Sequence, residues 1–424
     1  MSRVVFAAAT VGLLAVSACS SGAAGARTSP PPTTSLVTSA SAPAGTTSAP
    51  TGPSSTTATK STTSGSRATS VSPSVTTAST TTHTPAQVLA GMTEAQRVGQ
   101  LLMVDCPSTA VASATVTAIT TYHVGSVILD GNSSLSVSQT RSITNSLQRY
   151  APSSAKLFIS TDQEGGLVRR MRGYGFSAIP SAVTQGTYPT ATLQADAKKW
   201  GGQLRAAGIN LDLAPVLDTV PPGSTGNPPI GDLYREYGRY PSRVASQGTA
   251  VARGLAAAGV DATGKHFPGL GRVAGNTDTT SGVQDTVTTR HDAYLQPFAS
   301  AVNAGLAFVM MSTAIYTRID ARSPAAFSAT IVTGMVRGDL GFRGVIISDD
   351  LGSARQVSGY SVGTRAVDFI NAGGDIVLTV NAAQAATMTA ALLARTKLYG
   401  TFKNKVDAAA LAVLTAKQAR GLLG

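Results

Sequence analysis

From residue 101 onward the chain alternates between two textures. Short runs of apolar and β-branched residues, most of them preceded by glycine, occupy 101–105, 125–130, 157–162, 208–215, 259–266, 306–313, 344–349 and 375–380. Between them lie alanine-rich stretches with helical spacing of their apolar positions, at 111–122, 137–150, 193–207, 242–258, 290–304, 331–340, 363–372 and 383–396, with a last one at 408–423. Runs that are apolar throughout belong to strands covered on both faces, as in a parallel sheet flanked by helices. Eight strand–helix units predict an α/β fold, a closed (β/α)8 barrel of TIM type rather than an open doubly wound sheet.

The polar exceptions to this pattern cluster. Asp162-Gln163-Glu164, Asp212 with Asp218, Lys265-His266, Met311-Ser312 and Asp349-Asp350 all fall at or just after the C-terminal end of a strand. In a β/α barrel that end is the catalytic face. Asp349 closes a fully apolar strand, so it is expected to emerge on the barrel axis, where a carboxylate can attack a carbon or stabilise a cation. Asp350, one residue on, would point away and can cap the following helix. A Lys-His pair can grip the hydroxyls of a polar substrate. His266 could instead be a satisfied core histidine, and a strand-end Asp such as Asp162 could simply cap a turn.

Upstream of residue 85 the pattern breaks down. Arg3, an apolar run from Val4 to Val16 and then Val16-Ser17-Ala18-Cys19 read as a secretory signal, too short to span a bilayer. Residues 1–19 are therefore expected to be a signal peptide with Cys19 as the lipidated residue, or else an ordinary signal with an incidental Cys. Residues 20–84 are almost wholly Ser, Thr, Ala, Pro and Gly, with too little apolar surface to offset their ordering entropy. As a coil, such a tether would span about 45 Å. The catalytic barrel is expected at 85–424, exported and lipid-anchored at the outer face of the cell membrane. Cys106, the only other cysteine, is then left without a disulfide partner, so a buried thiol is expected.

Charge and composition narrow the partners. The net charge is +12, but four of those positive charges (Arg3, Arg27, Lys60 and Arg67) precede the first acid, Glu94. No Lys/Arg run is dense enough for a nucleic-acid groove, and aromatics are few. Gly165-Gly166 lacks the Lys-Ser/Thr of a phosphate loop, and no Gly-x-Gly-x-x-Gly opens a helix after the first strand. Four scattered histidines offer no i, i+4 pair, so no metal and no cofactor are expected. A monomer is expected.

Three segments carry a family resemblance. The stretch from Gly338 through Gly344-Val345-Ile346-Ile347-Ser348-Asp349-Asp350-Leu351 resembles the nucleophile segment of glycoside hydrolase family 3. Thr161-Asp162-Gln163-Glu164-Gly165-Gly166-Leu167-Val168-Arg169-Arg170 resembles its strand-three motif, and Lys265-His266-Phe267-Pro268-Gly269-Leu270-Gly271 its Lys-His-Phe-Pro-Gly loop. The likeness runs from about residue 93 to 415 in motif order and spacing. Within the family, the single-domain form resembles the NagZ-type β-N-acetylglucosaminidases, and the lipobox with its Ser/Thr tether is similar to their actinobacterial lipoprotein relatives.

The resemblance implies a retaining exo-glycosidase. Asp349 would be the nucleophile, and Asp162, Arg235, Lys265 and His266 would hold the sugar of an N-acetylglucosamine-containing glycan from cell-wall muropeptides. Arg235 matches the family's substrate-binding Arg only through a small insertion, and could equally pair with a surface acid. NagZ-type enzymes carry their acid/base in an Asp-x-His loop; here Asn276 and Asp278 stand at those two positions. Either Asp278 is the acid/base, holding its proton where a closed loop excludes water, with Asp285 as a fallback, or the loop has lost its acid. An anionic Asp278 beside the acceptor would repel phosphate, which favours water. The rival expectations are another exo-glycosidase of the family, such as a β-glucosidase, and a catalytically weak wall-binding lipoprotein.

Overall fold

The computed structural model describes residues 83–424. The signal segment, Cys19 and all of the tether except His83 and Thr84 lie outside the described residues. Eight parallel strands close into one barrel: β1 (Leu102–Pro107), β2 (Ser126–Asp130), β3 (Phe158–Thr161), β4 (Leu211–Asp212), β5 (Asp261–Phe267), β6 (Phe308–Met311), β7 (Val345–Asp350) and β8 (Ile376–Thr379). Each strand pairs with its neighbours in sequence, and β8 closes on β1 through Leu102–Val377 and Met103–Leu378. All eight expected strands are present and in order.

Both faces of the sheet are apolar, for different reasons. Met103, Ile128, Phe158, Leu211, Phe308, Met310, Val345, Ile347, Ile376 and Leu378 pack together as the barrel's filling. The alternate residues, among them Leu102, Val104, Val127, Leu129, Ile159, Val309, Ile346 and Val377, pack into the second cluster, which includes residues of the surrounding helices. Phe158 and Phe308 meet edge to face across the interior, with ring centroids 5.2 Å apart. Below them the C-terminal helix Gly400–Ala419 closes the barrel with Val413 and Lys417. The buried Lys417 ammonium donates to Gln100 Oε1 at 2.6 Å and lies 5.9 Å from the Phe158 ring centroid. Burial pushes its pKa down to about 7.

The period of two that fills the barrel also delivers the site. Following the inward parity upward from Ile128, Phe158, Ile347 and Leu378 leads to Asp130, Asp162, Asp349 and Val380, all of which line one pocket. The expected boundaries shift in three places. β4 is two residues long, because Pro215 has no N–H to continue a ladder; the chain beyond it stays tied to β5 by carbonyls of Ala214 and Pro215, which accept from Thr263 and Lys265. The helix expected at 290–304 is reduced to Gln296–Asn303 with Pro297 in its first turn, after a 3-10 turn Ala293–Leu295 capped by Asp292. The last helix begins at Gly400 rather than 408, because Phe402 and Val406 are both buried at helical spacing and extend its apolar face.

Smaller elements had no signal in the pattern. Two capped helices, Pro85–Gly91 and Glu94–Gln100, precede β1. A ladder pairs Gln163–Gly165 with Val168–Arg169 beyond β3. A three-stranded sheet joins Gln284–Asp285, Ile315–Tyr316 and Asp320–Pro324.

Candidate active site

A cavity of about 410 Å³ opens at the C-terminal ends of the strands, within the usual size range of a small-molecule site. Asp162, Arg235, Lys265, His266, Asp278 and Asp349 all line it. The structure thus brings together every site residue expected from the sequence, apart from the fallback acid Asp285 and from Cys19, which is outside the described residues.

The cations are organised by Glu164, which the sequence marked only as one of the polar residues at a strand end. Glu164 is buried and grips Arg235 with both oxygens, accepting from Nε at 2.9 Å and from a terminal nitrogen at 2.7 Å. The same carboxylate lies 2.7 Å from Lys265 Nζ, which also donates to Asp162 at 2.6 Å. Burial works against the Glu164 charge, yet Arg235 and Lys265 outweigh it and hold the carboxyl far below the usual glutamate range. Burial likewise opposes the Lys265 charge, and Asp162 and Glu164 raise its pKa above the ordinary lysine value. Arg235 therefore pairs with a buried acid of the site, not with a surface one. A signal for Glu164 was present: in the extended run past β3, it shares the inward parity of Asp162. Gly165 and Gly166, with φ of +113° and +55°, then make the tight turn that sends the chain back to Val168.

His266 is held from behind. Its Nδ1 lies 2.7 Å from Asp218 Oδ2, and the other Asp218 oxygen accepts from the backbone N–H of His266 at 3.2 Å and of Leu270 at 2.7 Å. The buried Asp218 thereby fixes both the imidazole and the Phe267-Pro268-Gly269 turn, and leaves Nε2 facing Arg235 at 3.5 Å. Asp218, marked in the sequence only as one of the polar residues past a strand end, follows an irregular stretch after β4 where neither period applies, so its part in holding His266 was not predicted. Lys265 and His266 are adjacent yet both line the cavity, and the peptide between them is cis.

The two carboxylates that end β7 both line the cavity, so Asp350 does not point away from it as expected. Asp349 faces the cavity, its Oδ1 accepting from the Asp350 N–H at 2.9 Å. Burial pushes its carboxyl up to about 6; Asp278 adds to the rise, while His266 and Lys265 oppose it. Asp350 accepts from the backbone of Gly352, Ser353 and Val380. It caps a turn beside the site rather than the next helix, which starts later at Val362.

Asp278 stands on the loop after β5, exposed at the cavity's edge. Asn276 accepts the Asp278 N–H through Oδ1 at 2.9 Å, a local turn that fixes the loop's backbone. The expectation that a closed loop shields Asp278 from water is not met by the protein alone. Asp285 does not serve as a fallback acid. It is fully buried, accepts from the backbone N–H groups of Val287 and Thr288 and the Thr288 hydroxyl, and is absent from the cavity lining. Among the described residues, no group of three His, Cys, Asp or Glu side chains could hold a metal ion.

Residues 93–416 match the glycosyl hydrolase family 3 N-terminal domain. The chain belongs to glycosyl hydrolase family 3. Among solved structures it is similar to a beta-N-acetylhexosaminidase from Beutenbergia cavernae, at 47% identity and a TM-score of 0.76, over 78% of this chain and 99% of that one. It is also similar to a glycoside hydrolase family 3 beta-N-acetylglucosaminidase from Paenibacillus sp., at 30% identity and a TM-score of 0.71, over 78% of this chain and 63% of that one. A beta-hexosaminidase of Xanthomonas campestris is 35% identical over 283 residues, which is 64% of this chain and 82% of the relative.

One buried acid in this family 3 site belongs to none of the groups above. Asp212 ends β4 beneath Asp162 and Glu164, and accepts from the Gln163 N–H at 3.0 Å. Burial pushes its carboxyl up to about 7, with Gln163 and Lys265 opposing and the neighbouring acids adding to the rise. The folded chain therefore keeps a proton that the unfolded chain releases near pH 4. Stability from this group is full below pH 4 and is lost as pH rises toward 7. Asn mimics the protonated acid, so Asp212→Asn should match the parent near pH 4 and exceed it by on the order of 2 kcal/mol at pH 7.5. Urea unfolding of both proteins at the two pH values checks this; a gap that does not widen with pH would refute it.

Proposed function

We propose that this family 3 protein is a retaining β-N-acetylhexosaminidase that releases terminal, non-reducing β-linked N-acetylglucosamine from cell-wall muropeptide fragments. The observation that carries the proposal is one cavity with two unlike carboxylates: Asp349, half-buried at the end of β7 beside His266 and Lys265, and Asp278, exposed at the rim. Retaining hydrolysis needs one carboxylate to attack and a second group to move a proton twice. The kinship with proteins named for N-acetylhexosamine hydrolysis supports the choice of sugar.

In the first step an Asp349 oxygen attacks C1, the glycosidic C1–O bond breaks, and Asp278 gives its proton to the departing oxygen. In the second step the Asp278 carboxylate takes a proton from water as the water oxygen attacks C1, and the C1–Asp349 bond breaks. Asp162, Arg235, Lys265 and His266 hold the sugar's hydroxyls meanwhile. The negative charge of Asp278 in the second step disfavours phosphate as the acceptor.

Two kinetic comparisons test the reading. Nitrophenyl β-N-acetylglucosaminide should be cleaved far faster than nitrophenyl β-glucoside; preference for the glucoside would sink the substrate assignment. Asp278→Ala should lose roughly 10²–10⁴ in rate on poor leaving groups and little on activated ones. Equal loss on both, or none, would remove Asp278 from the acid role.

The Cys19 and tether reading places the enzyme on the outer face of the membrane, as a lipid-anchored monomer reaching into the wall. Cys19→Ser should move activity from the membrane fraction of the producing cell into the soluble fraction. Unchanged fractionation would count against the anchor.

A further inference from the structure

The proton donor proposed above sits on a stretch with no regular element of its own: between β5 and Gln284–Asp285 the chain forms neither helix nor strand. A proton donor works at hydrogen-bond distance, and a misplacement of about 1 Å can cost on the order of a hundredfold in rate. Something must therefore fix this loop relative to the nucleophile.

The fixing comes from the segment that follows the nucleophile. Gln356 lies in the 3-10 turn Arg355–Val357, shortly after Asp349 and Asp350. Its amide pairs with both backbone groups of Val283: the Val283 N–H donates to Oε1 at 2.8 Å, and Nε2 donates to the Val283 carbonyl at 3.1 Å. Its backbone N–H donates to the Thr277 carbonyl at 3.0 Å, and that of Arg355 donates to the Asp278 carbonyl at 3.0 Å. The loop is thus held at Asp278 and again five residues later, from one short turn. Thr277, Val283 and Gln356 are all buried, so water is not at hand to replace a lost partner. Only a carboxamide offers a donor and an acceptor side by side in one plane. Leucine or methionine would fill the space and leave both Val283 groups unpaired.

We propose that Gln356 is a positioning residue for the acid/base: its amide holds the Asp278 loop at a fixed separation from the Asp349 strand before substrate arrives. The proposal rests on Asp278 being the acid/base, and the test separates the two. Gln356 does not line the cavity, so its removal should act through Asp278.

Gln356→Leu and Gln356→Met are compared with Asp278→Ala on aryl β-N-acetylglucosaminides of graded leaving-group pKa, alongside hydrogen exchange at the Val283 amide. Both Gln356 variants should lose about tenfold or more in kcat on the poorest leaving groups, within the 10²–10⁴ reach of the acid itself. They should stay within about threefold on dinitrophenyl substrate, because no proton is needed there. Exchange at Val283 should speed up. Adding Gln356→Leu to Asp278→Ala should not steepen the leaving-group dependence further. A uniform loss across all leaving groups, or none, would overturn the positioning role while Asp278→Ala still shows its own dependence. If Asp278→Ala shows no such dependence, the acid assignment fails instead, and the positioning role falls with it. Should Gln356→Leu fold poorly, Gln356→Met and the exchange rate at Val283 still decide the matter.

Discussion

A buried ammonium and a half-buried guanidinium cannot stand side by side without a counter-charge, and here Glu164 is that counter-charge. Arg235 arrives from the turn after 231–233, Lys265 from β5, and Glu164 from the run past β3. Three walls of the cavity are therefore tied through one carboxylate. Taking each ion out of water costs several kcal/mol unless paired, so this triad constrains where those walls can sit. At the proposed nucleophile, burial and the Asp278 charge raise the Asp349 carboxyl above the ordinary aspartate range, while His266, the Asp350 N–H and Lys265 oppose the rise.

The two proposed catalytic carboxylates are unlike because their surroundings are unlike. Asp349 is delivered by strand parity into a half-buried position among the site's cations. Asp278 is delivered by a loop to an exposed edge. Retaining chemistry asks for this kind of inequality, since one group must be a free anion when the other carries a proton. An imidazole at the loop position would meet the same demand with its own pKa near neutrality. A carboxyl there depends more on its surroundings, which puts weight on how firmly the loop is held and on what the bound sugar excludes.

The barrel was legible in the sequence because its strands are covered on both faces and so read as short runs apolar throughout, separated by helical stretches. The strand-end chemistry was legible because one further step along the inward parity reaches Asp162 and Asp349. What escaped the sequence was whatever acts across the barrel. The partners of Glu164 lie on other elements, so its part in the site appears only once β3, β5 and the Arg235 turn are brought together. Asp218 sits where Pro215 has ended the ladder, and nothing periodic points to it. Asp285 looked like a carboxylate near the right loop, but its oxygens are consumed by the backbone N–H groups of Val287 and Thr288 and by the Thr288 hydroxyl. Whether an acid is free or spent depends on which donors surround it in three dimensions.

The ladder hydrogen bonds of the barrel are thinnest where the site is most elaborate. β4 contributes two residues, and its junction with β5 continues only through isolated contacts such as Val216 with Lys265. Side chains take over there: Asp212 accepts from Gln163, Asp218 accepts from His266 and Leu270, and Glu164 bridges to Lys265. A regular ladder would hold β4 and β5 equally well, but it would fix every side chain to one of two faces. Replacing it with buried side-chain bonds lets consecutive residues, Lys265 and His266, face the same cavity. The irregular sector is thus where the fold exchanges backbone regularity for freedom to place polar groups, and each such group needs its own buried partner to hold it.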